Sequence, residues 1–383
     1  MPNFDFNMVR VLKVARGGAA ELADRLAELD CHSALIVTDA GLLKSGILDP
    51  ALAGFARRGL RYTLFSDVVA DPPEAVIEAT VAAVRACGAD CVVGFGGGSS
   101  MDAAKLAALL ARNGRPLSAA YGVGQATGPR LPLVLVPTTA GTGSEVTPIS
   151  IVTTGESEKK GVVSPLLLPD LALLDAELTV GLPAHVTAAT GIDAMVHAIE
   201  AYTTKRLKNP ISDCLATHAL KLLSGALHRA CRTPSDLQAR EDMLLGACLA
   251  GMSFANAPVA AVHALAYPVG ARFHVPHGLS NSLVLAPVIR FNIPAATSLY
   301  AELFDVVEPG TAGTVQAKAE ALAEYLAALA GDLGLPTRLR DVGIAAGDVP
   351  QLAADAMKQT RLLINNPREV AESDAAALYS EAL

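Results

Sequence analysis

Apolar positions along this chain follow two different patterns. Up to about Leu174, strand-like stretches at 9–13, 33–39, 61–65, 91–95, 131–136 and 171–174, nearly unbroken apolar runs at 33–39, 91–95 and 131–136, alternate with stretches of helical periodicity, clearest at 17–29 and 74–86. Runs apolar at successive positions predict strands buried on both faces, as in a parallel sheet covered by helices. From Pro183 onward alanine and leucine dominate, punctuated by loop signals at Asn209-Pro210, Thr233-Pro234, Pro309-Gly310 and Leu335-Pro336. That composition predicts helices throughout. The expected architecture is an α/β domain over 1–181 with a Rossmann-like parallel sheet, then an all-α domain over 182–383.

A length of 383 residues exceeds one typical core and agrees with two domains. Hydrophobic residues at 51% against 18% charged describe a compact chain and exclude a disordered one. The net charge of -8, with no basic cluster, argues against nucleic acid or an anionic membrane surface as partner. Cys31, Cys87, Cys91, Cys214, Cys231 and Cys248 are scattered with no Cys-x2-Cys, so reduced, mostly buried thiols of a cytoplasmic protein are expected. The first residues lack a basic stretch followed by an apolar run, and no signal peptide is expected. Residues 243–271 contain no Asp, Glu, Lys or Arg and are long enough to span a bilayer, but Ser253, Asn256, Pro258, His263 and Pro268 divide them. A buried core helix followed by a second, broken one is expected there.

Several stretches carry candidate chemistry. The run at 91–95 feeds Gly96-Gly97-Gly98-Ser99-Ser100 and then a helix. Glycines let the backbone approach a pyrophosphate, and the N–H groups of a new helix stabilise its charge, with Ser99 or Ser100 as the cap. The spacing is neither the standard dinucleotide fingerprint nor a Walker loop, and a purely structural turn is the alternative. After 131–136 comes Pro137-Thr138-Thr139-Ala140-Gly141-Thr142-Gly143-Ser144-Glu145-Val146-Thr147, whose hydroxyls suit phosphate, ribose and nicotinamide, or their own backbone. Asp39 closes the run at 33–39, either to grip an adenosine ribose or to cap a turn. Lys159 and Lys160 are a cation for that site or solvated surface, with surface the default. In the second half, Asp193 and His197 stand four apart and share a helix face, and histidines recur at His263, His274 and His277. Carboxylate and imidazole suit a divalent transition metal; hydrogen-bonded core histidines are the alternative.

The ordered combination Gly96-Gly97-Gly98-Ser99-x-x-Asp102-x-x-Lys105, Pro137-Thr138-Thr139-Ala140-Gly141-Thr142-x-x-Glu145-Val146-Thr147, Gly191-x-Asp193-Ala194-x-x-His197-Ala198-x-Glu200-x-Tyr202, His263-x4-Pro268-x-Gly270 and Pro276-His277-Gly278 resembles the iron-containing (group III) alcohol dehydrogenase family. The likeness runs to Asn366-Pro367-Arg368 and implies that family's dehydroquinate synthase-like fold. It implies Asp193, His197, His263 and His277 as ligands of ferrous iron, or zinc as in some members. It implies cofactor contacts at Gly96, Gly97, Gly98, Ser99 and Asp102, at Thr138, Thr139, Thr142 and Thr147, and at Lys160. Asp39 falls where NAD-preferring members keep an aspartate, which favours NAD over NADP.

The implied reaction is hydride transfer between a primary alcohol, or its aldehyde, and NAD, with the metal as Lewis acid and the two meeting in a cleft between the domains. Tyr267 and the ligand His277 are the candidate catalytic residues; relatives commonly have histidine at the position of Tyr267, where it is thought to help move a proton, and a phenol is a poorer base. His274 is the alternative relay. Asp71-Pro72 replaces the usual asparagine-proline and puts an adenine-side contact in doubt. Phe254 matches an aromatic bordering the substrate cavity and, with Ile149, suggests an apolar wall suited to simple or medium-chain alcohols. The competing readings are a maleylacetate-type reductase, a dehydroquinate synthase-like lyase and a catalytically silent member. A homo-oligomer, dimer or larger, is also implied.

Overall fold

The computed structural model describes residues 3–155 and 158–383. The chain divides into two compact units, one spanning Asn7–Gly181 and the other containing Leu182–Leu383.

The first unit is built on β1 (Val11–Val14), β2 (Ser33–Val37), β3 (Arg61–Phe65), β4 (Cys91–Gly96), β5 (Gly122–Val123), β6 (Leu133–Pro137), β7 (Ile149–Thr154), β8 (Glu158–Val163) and β9 (Leu171–Leu174). Its helices are α1 (Leu22–Glu28), α2 (Ala40–Ser45), α3 (Asp49–Arg58), α4 (Glu74–Cys87) and α5 (Gly98–Asn113). Six strands form a parallel sheet in the order β1-β9-β6-β4-β2-β3. The four inner strands are buried at every position, whereas the edge strands β1 and β3 keep exposed residues. Side chains alternate between the sheet's faces. Leu35, Val37, Val92 and Leu135 pack with Ile77 and Val84 of α4 and Leu106 of α5, while Ala34, Ile36, Val93 and Phe95 pack with Leu26 of α1 and Phe55 of α3. Burial on both faces is why these strands read as continuous apolar runs.

Three features depart from the pattern-based expectations. The helix expected from Gly17 begins as a 3-10 turn, Gly18–Glu21. Neither Ser99 nor Ser100 caps α5: Gly97 holds the cap position without a side-chain bond, and both serines lie in the first turn. A second sheet, β5-β8-β7, was not visible in the pattern. In β7 the inward positions are Ser150, Val152 and Thr154, so polar residues face in and the apolar alternation is disguised. Ser150 Oγ is satisfied by donating to the Asp102 carbonyl, at 3.1 Å.

The second unit is helical: α6 (Ala184–Thr203), α7 (Pro210–Arg232), α8 (Leu237–Asn256), α9 (Ala261–Phe273), α10 (His277–Val307), α11 (Val315–Asp332), α12 (Val349–Ala356), α13 (Thr360–Leu363) and α14 (Glu372–Ala382). The punctuation signals fall between helices, and Asn209 caps α7 by accepting the Ser212 N–H. Helix α6 is buried almost continuously from Gly191 to Ala201 and packs against α7, α8 and α10. Helices α8 and α9 meet at 107°. Pro258 lies in that break, but Pro268 sits inside a continuous α9. Among the described residues α10 is long and apolar enough to cross a membrane; 56% of its most apolar window is buried within the protein, and the non-helical Ala296 kinks it.

Candidate active site

In the helical unit, Asp193 and His197 project from one face of α6, His263 from the second position after Ala261 in α9, and His277 from the first residue of α10. One ligand atom from each lies within 4.8 Å of every other. Asp193 Oδ1 is 3.8 Å from His263 Nε2 and 3.6 Å from His277 Nε2. The rings of Phe254, His197 and His263 stack in sequence, with centroids 4.3 and 4.7 Å apart. Phe254 therefore covers one side of the cluster with an apolar ring. Burial works to raise the Asp193 carboxyl, and the three histidines with the Asn281 amide outweigh it and hold it below the usual carboxylate range.

Two groups without a role in the sequence reading orient this cluster. Glu200 Oε2 accepts from His263 Nδ1 at 2.6 Å and Oε1 accepts from the Val262 N–H at 2.7 Å. The ring proton is thereby held on Nδ1, and the Nε2 lone pair faces the cluster. Buried His263 Nε2 has no hydrogen-bond partner among the described residues. A converging set of one carboxylate and three imidazoles, one with an unsatisfied buried lone pair, is the donor set of a borderline divalent cation, so the residues fit iron or zinc. Asn281 Nδ2 donates to Asp193 Oδ1 at 2.6 Å and lies 3.3 Å from His277 Nε2. The sequence did contain signals for both: Glu200 follows His197 by three residues and Asn281 follows His277 by four, spacings that share a helix face. The approach of α10 to α6 depends on Gly278, where a Cβ would stand 2.4 Å from the Ala189 carbonyl oxygen.

Tyr267, one turn after His263, has its ring 6.5 Å from that of His263 and 5.8 Å from that of His277. His274 is exposed at the end of α9 with φ 54°. Of the two relay candidates, Tyr267 is the one against the cluster.

In the α/β unit, the sheet order sets the ends of β6, β4 and β2 side by side, so the loops carrying Thr138, Gly97 and Asp39 are neighbours at the carboxyl edge. That edge is where ligands bind in such sheets. Helix α5 starts there without a side-chain cap, leaving its first N–H groups for an anion. Gly98 admits no side chain, because a Cβ would lie 2.9 Å from Thr142 Cγ2, and a Cβ on Gly97 would be 3.7 Å from Thr139 Oγ1. The turn is thus a bare backbone cradle bordered by two threonines, which fits a pyrophosphate. The Gly96 carbonyl accepts from the buried Thr138 N–H at 3.0 Å. Ser99 Oγ accepts from the Asp71 N–H at 3.2 Å.

Asp39 caps α2, its Oδ1 accepting from the Leu42 N–H at 2.9 Å. Asp102 is turned into the protein: Oδ1 accepts from Ser144 Oγ at 2.6 Å and Oδ2 from the Ile151 N–H at 2.8 Å. Burial raises its carboxyl despite Lys105, Ser144 and Ile151. Its position supports the loop. Lys105, fully buried, donates to Ser144 Oγ at 2.8 Å, Thr147 Oγ1 at 3.2 Å and the Ile149 carbonyl at 2.7 Å. Burial pushes its amine down to about 8, against the pull of Asp102 and Glu145. Thr147 is therefore bound inward, and Ile149 begins β7 half-buried. Lys159 is not solvated surface: its side chain is 12% exposed and pairs with Asp71 at 2.5 Å. Lys160 is exposed, with its ammonium 5.8 Å from the Tyr121 ring centre.

Two family models match the chain, one described as "Iron-containing alcohol dehydrogenase" over residues 11–176 and one as "Fe-containing alcohol dehydrogenase family, C-terminal" over residues 187–383. Long-chain-alcohol dehydrogenase 1 of Geobacillus thermodenitrificans is 39% identical over 376 residues, covering 96% of this chain and 94% of that one. A crystal structure of 1,3-propanediol oxidoreductase superposes with TM-score 0.96 at 34% identity over 100% of both chains. Sulfoacetaldehyde reductase from Bifidobacterium kashiwanohense, in complex with NAD+, superposes with TM-score 0.90 at 28% identity over 100% of this chain and 99% of that one.

Proposed function

Because the chain belongs to the iron-containing alcohol dehydrogenase family, we propose that Asp193, His197, His263 and His277 hold the iron with which it interconverts primary alcohols and aldehydes at the expense of NAD. The observation that carries this reading is the buried, unsatisfied His263 Nε2 within a ring of three further donors. When bound, iron supplies a Lewis acid for the substrate oxygen and NAD supplies the hydride acceptor.

The chain's own residues do the rest. Glu200 and Asn281 fix the ligands' orientation, and Phe254 excludes water from the His197 side. The Tyr267 phenol, whose ring lies beside those of His263 and His277, gives a proton to the substrate oxygen in aldehyde reduction and takes it back in alcohol oxidation. In the α/β domain, 1–181, the N–H groups at Gly97–Ser99 take the pyrophosphate with Gly96 setting the turn, Thr138, Thr139, Thr142 and Thr147 shape the flanking loop, and Lys160 supplies a cation. Asp39 repels the extra phosphate of NADP. The apolar character of Phe254 and Ile149 supports simple or medium-chain alcohols over polyols. Six free thiols support a cytoplasmic location, and the family resemblance supports a homo-oligomer.

The test is NADH formation from a series of primary alcohols, with chelator-stripped protein reloaded with ferrous iron, zinc or nothing. Turnover restored by one metal and lost in His263→Ala is expected; Tyr267→Phe keeps metal and NAD binding but lowers kcat roughly 100-fold. Metal-independent turnover, or full activity in His263→Ala, overturns the assignment. Greater activity on glycerol than on butanol overturns the substrate preference alone.

A further inference from the structure

We propose that Cys31, Asp90 and Cys91 form a second metal site, for a zinc-like divalent cation, at the end of the parallel sheet remote from the glycine turn. Cys31 stands just before β2 and Cys91 opens β4, and these strands are parallel neighbours with Ala34 opposite Cys91. Sixty residues of sequence separate the thiols, yet both Sγ atoms and one Asp90 oxygen lie within 4.8 Å of one another, the same bound that encloses the Asp193 cluster.

The arrangement is held in place from outside. Asp90 Oδ1 accepts from the Ser33 N–H at 3.0 Å, and Oδ2 from the His32 N–H at 2.9 Å, so the carboxylate is fixed before any ion arrives. His32 Nδ1 lies 3.5 Å from Asp90 Oδ2 and its ring is largely exposed. It marks the solvent side of the three donors, where water completes the coordination of an entering ion. Two thiolates with a carboxylate select zinc or cobalt over magnesium and calcium, which require oxygen. The hydrogen bond with Cys91 lowers the Cys31 thiol, against burial and the charges of Asp90, Asp170 and Asp30, while Cys91 is pushed well up. The acidic neighbours that oppose a bare thiolate favour a bound cation, and binding displaces the thiol protons. Strand β4 carries five further residues from Cys91 to Gly96, which at ~3.3 Å per residue places this site about 16 Å from the glycine turn. Its role is a staple between β2 and β4, with no part in the hydride chemistry.

Cobalt(II) added to reduced, metal-stripped full-length protein tests this directly. Thiolate-to-cobalt charge-transfer absorption in the near ultraviolet reports sulfur ligation, and the Asp193 cluster contains no sulfur. A saturable band at one cobalt per chain, in addition to the Asp193 site, is expected; zinc displaces it, Cys31→Ser abolishes it, and Asp90→Asn weakens binding about tenfold. Iron-loaded Cys31→Ser keeps its NADH-forming activity. Absence of the band in the wild type overturns the proposal without recourse to any variant, as does a Cys31–Cys91 disulfide in the isolated protein or a band that survives in a folded Cys31→Ser.

Discussion

Replacing Glu200 with glutamine changes one buried atom and tests how the metal cluster is oriented. The carboxylate accepts two hydrogen bonds, from His263 Nδ1 and from the Val262 N–H. Glutamine offers one acceptor oxygen for these two donors. If that oxygen keeps Val262, the amide N–H2 faces His263 and drives the ring proton to Nε2, where it occupies the lone pair aimed at the cluster. If it keeps His263, the Val262 N–H is left against an N–H2 group and a charge-assisted bond becomes a neutral one. A hydrogen bond to a charged group contributes about 1.5–3 kcal/mol, which at ~1.4 kcal/mol per tenfold corresponds to a loss of metal affinity of about ten- to a hundredfold. The figure agrees with the ~10–100-fold typical of partners that orient a ligating histidine. Ferrous or zinc affinity by competition with a chromophoric chelator measures it, with apo-protein thermal unfolding as the control for folding. A folded Glu200→Gln that binds metal as tightly as the wild type refutes the orienting role.

Three further perturbations follow from the same geometry. Gly278→Ala places a methyl 2.4 Å from the Ala189 carbonyl oxygen, so it destabilises the protein by about 1–3 kcal/mol and weakens metal binding through His277; an unchanged urea midpoint refutes the close packing. Lys105→Met removes an amine whose folded value, about 8, lies below its ordinary 10.5. The unfolded chain binds the extra proton in that window, so wild-type stability relative to the variant is flat below about pH 8 and rises above it by up to ~1.4 kcal/mol per pH unit; a difference independent of pH refutes the buried amine. Asp39→Ser keeps an oxygen to cap α2 but removes the charge, and the kcat/KM ratio of NADP to NAD rises about tenfold, the equivalent of ~1.4 kcal/mol; an unchanged ratio assigns Asp39 to the cap alone.

What the sequence disclosed depended on whether a residue's partners were near it in the chain. The inner strands β2, β4, β6 and β9 were legible because burial on both faces leaves an unbroken apolar run. Strand β7 was not, because Asp102, 49 residues before Ile151, satisfies polar groups that face inward. Asp193 and His197 declared a shared face by their spacing and the recurring downstream histidines pointed to His263 and His277, but only the family motifs set these four apart from hydrogen-bonded core residues. The consequences of Glu200 and Asn281 required the packing of α6 against α9 and α10. The Cys31 and Cys91 pair had no local signature, since a parallel register alone brings them together. Ser99 and Ser100 show the converse error: residues well suited to capping sit two and three positions after the cap, which the chain gives to bare Gly97.

As one straight helix, residues 243–271 would extend ~44 Å without a charged side chain, more than the ~30 Å of a bilayer's hydrocarbon core. The 107° break between α8 and α9 divides them into arms of ~21 and ~17 Å, neither long enough to cross. A nascent chain has no such bend. Until α8 docks on its sequence neighbour α7, the emerging segment presents the hydrophobicity of a membrane anchor to insertion machinery and a sticky surface to other unfolded chains. The Ala257–Ala260 corner is thus what folds a membrane-length apolar stretch back into the helical unit, and substitutions that straighten it would leave that stretch exposed to other unfolded chains.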